Sequence, residues 1–526
     1  MKKRTAARSM AALMGAAMVL TACGGGNTTA PTTGASSGGE TQTASESAES
    51  GKITKTDIVV GQASDIVTLD PAGQQDTTSG VLMKHAYSTL LDVDNEGKVV
   101  PDLAESYEMK SDTEYVFKLR EDACFWDGTP VTAQDVKFSL DRAKGMPKTK
   151  SNTSKIEEVT VNGDHEVTIK LTEPYAAFKT IVTQHNLSIL SEKAVTEAGD
   201  SYGDVDNLLG SGPFKVTEWV PNDHYTLVRN DNYWGEMPIA TSITCRVIPE
   251  GSARTIALEA GEIDVVWSVD PTDCANVESN PDVKLLSQPS TGIDYVGMNT
   301  QKEKFSDKRV RQAINYALDK QAFVDTIIEG RGLVANSYIN AAIPGWTDEV
   351  EAYPYDPEKA KELLAEAGYP DGFECSIFVN GDLRTRSAQI LQAQLADVGI
   401  KVDISTYEWG ALLDTLNAGE HEMFLLGWSN TSFDPDGSTY QLFYSGNHGA
   451  TGNRAFFSND KVDELILSAQ RESEESKRME LYKELQFVLH EESPWCPLYY
   501  KENNVGVRAD LKGFTLHAGA QHYLGN

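Results

Sequence analysis

Alternating apolar and polar residues predict that the first half of the chain is built mainly of short strands. Strands with one buried face have a period of two residues. The predicted strands are residues 57–60, 115–119, 214–220, 225–229, 242–248 and 263–267. Residues 91–100 are predicted as two strands around a turn, and residues 159–169 as a hairpin with its turn at Asn162-Gly163-Asp164. Two segments have helical spacing instead: residues 133–142, which follow Thr132 as the N-cap, and residues 251–260. The mixture of strands and helices predicts an α/β sheet.

The second half of the chain alternates between helical and strand-like segments. Apolar residues recur three and four positions apart in the predicted helices, which are residues 309–318, 357–367, 386–395, 460–469 and 476–490. The predicted strands are residues 373–379, 402–406, 424–428, 497–500 and 504–507. An α/β architecture is therefore predicted for this half as well.

The first 51 residues have the composition of an export signal followed by a linker. Residues 1–22 begin with four basic residues, and the apolar run at residues 10–20 is too short to span a bilayer. The sequence LTAC at residues 20–23 resembles the lipobox of bacterial lipoproteins, in which the Cys23 sulfur carries diacylglycerol. An uncleaved anchor or a chance cysteine is the alternative. Residues 23–51 are rich in Gly, Ser and Thr and predict a flexible tether.

These features predict a lipid-anchored protein at the extracytoplasmic face of the bacterial cell membrane. The chain of 526 residues has 78 acidic and 46 basic residues, for a formal net charge of −32. Such a charge repels nucleic-acid phosphates, so no nucleic-acid partner is expected. Five further cysteines are an odd number without a CxxC pair, which favours buried free thiols over a disulfide framework or a zinc site.

One segment matches a catalytic motif, and its context argues against catalysis. Residues 199–203 read GDSYG, which fits GxSxG, and an extracytoplasmic serine hydrolase using Ser201 is the corresponding hypothesis. A nucleophile elbow follows a buried strand, whereas residues 194–198 are helix-like, so an exposed loop is expected. Residues 92–97 resemble the start of a calcium loop, but the twelfth position is Leu103 instead of Glu. No catalytic residue, metal site or cofactor is predicted.

Ten short blocks occur in a fixed order along residues 52–520. They are LDP (69–71), LAESY (103–107), KLREDACFWDGTPVTA (118–133), GSGPFK (210–215), RNDNYWG (229–235), GMNT (297–300), KRVRQAINYALDK (308–320), YDPEKAKELLAEAGY (355–369), TYEW (406–409) and GW (427–428). Together they resemble the extracytoplasmic solute-binding proteins of ABC importers, in the peptide/nickel group called family 5.

The resemblance implies a two-lobed periplasmic-binding-protein-like α/β fold with an additional inserted domain. Domain I would comprise residues 52–72, 206–298 and 496–526, domain II residues 73–205, and domain III residues 299–495. The implied function is capture of short peptides between two lobes and delivery to the ABC permease and ATPase subunits, without catalysis. A non-peptide ligand, such as a modified peptide, a glycoside or a metal chelate, is the alternative within this class. A peptide-signal receptor or a chaperone on the same scaffold also remains open.

The resemblance also implies a set of ligand-binding residues in the cleft. They are Val67, Thr68, Leu69, Arg384, Arg386, Trp409, Trp428, Ser429, Asn430, Thr431 and Asp434. An arginine at 384 or 386 would suit a ligand carboxylate, because its planar fork fits that group. The sequence departs from the peptide-binding pattern at Thr431, where relatives carry an Asp that holds the ligand amine. Asp434 and Asp436 are the nearby carboxylates that could replace it.

Overall fold

A computed structural model describes residues 54–520 and 522–524 of the protein. Its strands are β1 (Asp57–Gln62), β2 (Leu91–Val93), β3 (Val99–Pro101), β4 (Ala104–Ser111), β5 (Glu114–Leu119), β6 (Ile156–Val161), β7 (Glu166–Leu171), β8 (Phe214–Val220), β9 (His224–Arg229), β10 (Ser242–Val247), β11 (Val265–Val266), β12 (Val283–Met298), β13 (Gly332–Val334), β14 (Glu374–Val379), β15 (Lys401–Thr406), β16 (Met423–Ser429) and β17 (Trp495–Arg508). The expected signal peptide (1–22), the lipidated Cys23 and the tether (23–51) lie outside the described residues.

The helices connect these strands and cover the sheet. They are α1 (Thr77–Ala86), α2 (Ala133–Lys144), α3 (Lys150–Thr153), α4 (Phe178–Ile181), α5 (Glu192–Ala198), α6 (Gly251–Glu259), α7 (Cys274–Ser279), α8 (Glu303–Ser306), α9 (Lys308–Ala317), α10 (Lys320–Thr326), α11 (Pro357–Glu366), α12 (Gly381–Ala396), α13 (Trp409–Asn417), α14 (Asp436–Phe443), α15 (Asp460–Arg471) and α16 (Glu475–Glu492). Among the described helices, none is both long and apolar enough to cross a bilayer.

Helix α2 illustrates how local sequence sets these elements. The predicted N-cap is confirmed: Thr132 Oγ1 accepts from the Asp135 backbone N–H, and Asp135 Oδ2 accepts from the Thr132 backbone N–H at 2.9 Å. This reciprocal capping box satisfies two amides that the helix leaves unpaired. The apolar face of α2 then buries Val136 and Leu140 at helical spacing.

One mixed sheet runs through both lobes of the protein. Its strand order is β15-β14-β16-β12-β17-β11-β1-β10-β9-β8, and β13 pairs with β17. We call the part built on β1 and β8–β11 the first lobe, and the part built on β13–β16 the second lobe. The long strands β12 and β17 belong to both. Their register shifts between Pro289 and Ile293, which marks the crossing from one lobe to the other.

A separate domain is inserted into the first lobe. It contains the four-stranded sheet β4-β5-β7-β6 and the pair β2-β3. Its core has buried members only from Leu90 to Ile189, including Phe117, Val136 and Phe178 at 0% exposure. Helix α1 packs instead into the first-lobe core. The observed fold is thus the predicted two-lobed α/β architecture with an additional domain, while the residue boundaries given above stay predictions.

The second lobe buries apolar side chains on both faces of its sheet. One face packs under α9–α12, and the other packs under α13–α16. On the second face, Tyr295 of β12 stacks on Trp495 of β17, with ring centroids 3.4 Å apart. These layers hold the strand ends that lead to the cleft in fixed positions.

Three elements differ from the sequence-based expectations in their extent. Helix α12 begins at Gly381, one turn before the predicted start at residue 386. Strand β11 spans only Val265–Val266 of the predicted 263–267. The two strands predicted at 497–500 and 504–507 form the single strand β17, since both halves pair with β12. The cysteines at 124, 245, 274, 375 and 496 are free, as predicted, and all but Cys124 are buried.

Candidate functional site

A cavity of about 390 Å³ lies between the two lobes and beside the inserted domain. Its size falls in the range of small-molecule sites, roughly 300–1,000 Å³. The lining residues are 62–64, 267–269, 271, 520 and 522 of the first lobe; 74–78, 80, 81, 152 and 184–186 of α1 and the inserted domain; 328, 331, 380, 383, 384, 409, 413, 426–429, 431, 441 and 454 of the second lobe; and 499 and 501–504 of β17.

Indole rings form the apolar part of the cavity wall. Trp267 follows β11 in the first lobe, Trp409 begins α13, and Trp428 lies near the end of β16. The Trp428 ring is held by a hydrogen bond from its Nε1–H to the Gly437 carbonyl oxygen at 3.1 Å. Such rings offer rigid surfaces on which a ligand can pack at a low cost in conformational entropy.

Arg384 presents a positive charge next to one of these rings. It lies in the first turn of α12, and its guanidinium stands 5.9 Å from the Trp409 ring centroid. One guanidinium nitrogen donates to Asn380 Oδ1 at 2.7 Å. Among the described residues, no carboxylate forms an ion pair with Arg384. The side chain is therefore held in place with its charge available to an anionic ligand group.

The other positive side chains on the wall differ in how they are balanced. Lys501 Nζ lies 2.9 Å from Asp294 Oδ2, and Arg331 lies 2.7 Å from Glu278 Oε1. Arg454 is 6% exposed, and its Nε donates to the neutral Asn417 Oδ1 at 3.0 Å. Lys501 and Arg331 are therefore neutralised by carboxylates. Arg384 and Arg454 have no carboxylate partner among the described residues.

Polar groups at the inserted-domain side of the cavity are shielded from water. Asp76 caps α1, with Oδ1 accepting from the Ser79 backbone N–H at 2.9 Å, and burial raises the pKa of this carboxyl group. Burial, and after it the Lys84 charge, lowers the pKa of His185 to about 3. The imidazole of His185 is therefore neutral at physiological pH.

Five of the residues predicted from the sequence line the cavity. They are Arg384, Trp409, Trp428, Ser429 and Thr431. The Thr431 hydroxyl donates to Gln184 Oε1 at 2.8 Å, which connects the second lobe to the inserted domain. A hydroxyl engaged in this way offers no charge to a ligand amine.

The predicted segment at residues 67–69 does not line the cavity. Leu69 is fully buried in the first-lobe core, and its carbonyl oxygen accepts from Tyr87 Oη–H at 3.1 Å. The Val67 backbone N–H donates to Ser79 Oγ at 3.0 Å. Thr68 packs against Gly73 instead of the cavity. Two of the backbone groups that would pair with an extended peptide are therefore already bonded within the protein.

Arg386 contacts the opposite lobe. One of its guanidinium nitrogens lies 2.9 Å from both carboxylate oxygens of Asp270, which precedes a short turn of the first lobe. The structure therefore places Arg386 in a contact between the lobes and Arg384 at the cavity.

The remaining predicted residues form a buried polar cluster behind the wall. The Asn430 side-chain amide donates to the Asp434 carbonyl oxygen at 2.8 Å, and the Asp434 carboxylate pairs with Arg478. Asp436 accepts from Tyr175 Oη–H at 2.5 Å and is fully buried. Both carboxylates that could replace the missing Asp at position 431 are thus bonded within the protein.

Several wall residues had no distinguishing signal in the sequence. Arg454 stands alone in a polar and aromatic loop, and Gln184 in a loop of the inserted domain. Trp267 directly follows the short strand β11, a position where binding loops commonly begin. Only the last of these could have been selected from a local pattern.

The serine of the GxSxG match lies in a setting unsuited to catalysis. Ser201 is exposed at the end of a short turn that follows helix α5, as expected from the sequence. Its hydroxyl donates to the Ala198 carbonyl oxygen at 2.8 Å and accepts from the Asn207 side-chain amide at 3.0 Å. Within the described part of the chain, no histidine bonds to it.

The two lobes, the inserted domain and the interlobe cavity define the class of solute-binding proteins that serve ABC importers. Residues 98–450 match the family described as "Bacterial extracellular solute-binding proteins, family 5 Middle". The glutathione-binding protein GsiB of Escherichia coli K12 is 32% identical over 479 residues, covering 88% of this chain and 92% of GsiB. The chain belongs to the family 5 bacterial extracellular solute-binding proteins. The relatives that it matches are binding proteins of ABC transporters and not enzymes.

Solved structures are similar over nearly the same length. DppA of Helicobacter pylori, in complex with the peptide STSA, is 29% identical with a TM-score of 0.85, covering 89% of this chain and 98% of DppA. AgaA of A. tumefaciens R10, in complex with agropinic acid, is 27% identical with a TM-score of 0.83, covering 88% of this chain and 97% of AgaA. The fold is therefore shared by proteins whose ligands differ in chemistry.

Proposed function

We propose that this substrate-binding protein captures short peptides or close peptide derivatives for an ABC importer. The observation that carries the proposal is the pairing of Arg384 with Trp409 on the wall of an interlobe cavity. A guanidinium without a carboxylate partner suits a ligand carboxylate, and the indole beside it suits the apolar part of the same ligand.

The size of the cavity favours small ligands. A volume of about 390 Å³ lies near the lower end of the usual range for small-molecule sites. The proposal therefore concerns peptides of two or three residues. Glutathione, the ligand named for GsiB, supports this size class, and the four-residue peptide STSA bound by DppA supports a peptide ligand without fixing its length.

We further propose that Cys23 carries a lipid and that residues 23–51 tether the body to the membrane. The support is the apolar run at residues 10–20, the LTAC sequence at 20–23 and the Gly/Ser/Thr composition that follows. The binding lobes would then act at the extracytoplasmic face, beside the permease. Globomycin treatment of expressing cells should cause the unprocessed precursor to accumulate, and Cys23→Ser should release the protein from the membrane fraction.

Calorimetry tests the ligand class directly. The body of the protein (residues 52–526) is titrated with dipeptides, tripeptides, a hexapeptide and glutathione. We expect binding of two- and three-residue ligands, and a loss of about tenfold or more in affinity for Arg384→Gln. Lys401→Gln, at an exposed ion pair remote from the cavity, is the matched control and should leave affinity unchanged.

A non-peptide ligand is the second candidate, and the state of Thr431 favours it. The Thr431 hydroxyl bonds to Gln184 and cannot form an ion pair with a free peptide amine. AgaA supports this candidate, since its bound ligand is agropinic acid. Native mass spectrometry of the freshly purified protein separates the two candidates: a series of peptide masses supports the first, and one non-peptide mass supports the second.

A further inference from the structure

Arg454 is a buried cation on the cavity wall, and no carboxylate of the described residues pairs with it. The residue is 6% exposed, and among the described residues its guanidinium makes one hydrogen bond, from Nε to Asn417 Oδ1 at 3.0 Å. Neither terminal guanidinium nitrogen has a partner among the described residues. Burying an uncompensated charge is costly, so arginine is rarely this buried without a carboxylate.

The electrostatic surroundings of Arg454 are positive. Burial lowers the pKa of its guanidinium, and the Tyr295 hydroxyl opposes that effect only in part. Burial and the charge of Arg454 both lower the pKa of Lys148, against the opposite influence of Asp414 and Asp76. An anion entering this end of the cavity would relieve the repulsion between the two cations.

Arg454 and Arg384 share one cavity and differ from its other cations. Lys501 and Arg331 are neutralised by Asp294 and Glu278, whereas within the described part of the chain the guanidinium groups of Arg454 and Arg384 bond only to side-chain amide oxygens. Two separate guanidinium groups, from α12 and from the loop before α15, are thus available to one ligand.

We propose that Arg454 binds a second acidic group, so that the captured ligand is a short peptide-like molecule with two carboxylates. One carboxylate would pair with Arg384 and the other with Arg454. This inference rests on the proposed function and narrows its substrate class. Guanidinium groups suit the role because they donate two parallel hydrogen bonds to a carboxylate.

The neighbouring contacts allow the side chain to be changed without losing the fold. The bond between His421 Nε2 and residue 454 uses the Arg454 backbone carbonyl, at 2.8 Å. Arg454→Gln keeps that bond and can still donate to Asn417. Because it removes a buried charge, the variant should raise the melting temperature of the empty protein, whereas a purely structural arginine would lower it on removal.

The test compares two nearly isosteric tripeptides, Gly-Glu-Gly and Gly-Gln-Gly, by calorimetry. Wild-type protein should bind the diacid at least about tenfold more tightly. In Arg454→Gln the preference should fall below about threefold, with the affinity for Gly-Gln-Gly nearly unchanged, and Arg454→Lys should restore part of it. Arg331→Gln is the control, and it should leave the preference for the diacid unchanged because Arg331 is already paired with Glu278.

The outcomes separate the two proposals. Equal binding of both tripeptides by wild-type protein, or an undiminished preference in Arg454→Gln, overturns the inference about the second carboxylate and leaves peptide capture standing. Absence of binding for every peptide overturns both. The comparison of ligands on wild-type protein needs no variant and stays decisive if Arg454→Gln does not fold.

Discussion

We expect the two lobes to open and close around the cavity, and the ion pair between Arg386 and Asp270, which joins the lobes, should favour the closed form. A guanidinium nitrogen from α12 of the second lobe lies 2.9 Å from both oxygens of the first-lobe carboxylate. Asp270→Asn removes the charge and keeps the shape. In the wild-type protein, Asp270 Oδ1 accepts from the Thr272 backbone N–H at 3.2 Å and from the Thr272 hydroxyl at 2.8 Å. The asparagine oxygen can accept both bonds as well, so the local turn should persist.

The expected size of the effect follows from the geometry of the pair. The Arg386 side chain is 37% exposed and that of Asp270 is 15% exposed, so solvent screens much of the attraction. Both carboxylate oxygens of Asp270 accept from the same Arg386 nitrogen, and this arrangement is weaker than two parallel hydrogen bonds from two guanidinium nitrogens. We therefore assign the pair about 1 kcal/mol, between exposed pairs and well-formed charged hydrogen bonds.

That energy translates into a measurable change in affinity. A loss of about 1 kcal/mol lowers the ratio of closed to open protein about fivefold. Because apparent affinity scales with the fraction of protein that is competent to bind, Kd should rise up to about fivefold. The difference between variant and wild type should shrink at 0.5 M salt, since the pair is partly exposed.

Calorimetry with a bound tripeptide measures Kd, and small-angle scattering measures the radius of gyration of the empty protein. Glu374→Gln, at a pair with Lys401 that is 76% and 80% exposed within the second lobe, is the matched control. The double variant Asp270→Asn/Arg386→Gln closes a mutant cycle. An unchanged Kd in Asp270→Asn, or single effects that simply add in the double variant, would refute the proposed role of this pair.

Three further predictions concern other parts of the molecule. Trp409→Ala should weaken ligand binding about ten- to a hundredfold, since it removes an apolar wall and the ring beside Arg384, and an unchanged Kd in calorimetry would contradict this. Burial, and then the Asp92 charge, raises the pKa of Asp102 to about 7. Between about pH 4 and pH 7, the folded state keeps the Asp102 proton that the unfolded state releases. The contribution of this group to the free energy of unfolding is therefore present at low pH and is lost as the pH rises through 7. Asp102→Asn should become more stable than wild type at pH 8 by up to about 4 kcal/mol in urea unfolding, with no such gain at pH 4. Cys124 is the least buried of the five described cysteines, so a thiol reagent should modify about one thiol rapidly in the native body, and Cys124→Ser should abolish that reaction.

The elements that the sequence predicted well are those defined by neighbouring residues. The hairpin predicted over residues 159–169, with its turn at Asn162-Gly163-Asp164, is confirmed, since β6 and β7 pair and Val161 lies opposite Val167. The start of α2 is apparent from Thr132 and Asp135, three positions apart. Strand β17 was predicted in two pieces, because its continuity depends on pairing with β12, about 200 residues away in the chain.

The cavity was harder to predict because partners distant in sequence decide which side chains are available. Asp434 has the right charge for a ligand amine, yet Arg478 neutralises it from 44 residues away. Asp436 bonds to Tyr175 of the inserted domain across 261 residues. Conversely, Arg454 is available because the described residues provide no such partner, and a sequence does not reveal the absence of a distant contact.

The two candidate arginines on α12 show where local geometry could have helped. Residues two positions apart on a helix point in nearly opposite directions, about 200° around the axis. Arg384 and Arg386 therefore cannot both face the same ligand. In the structure Arg384 lines the cavity and Arg386 reaches Asp270. Extending the predicted helix back by one turn would have placed both on it and excluded the joint assignment.

The position of the lobe crossing explains why a single ion pair can matter to binding. Strands β12 and β17 continue from one lobe to the other, and their register shifts between Pro289 and Ile293 and again between Asp294 and Tyr295. Rotation at that point changes few main-chain hydrogen bonds, so opening and closing should differ little in energy. A ligand shifts this balance only by contacts that exist in the closed form. Cavity residues from both lobes provide such contacts. The Arg386–Asp270 pair sets the ratio of closed to open protein before a ligand binds.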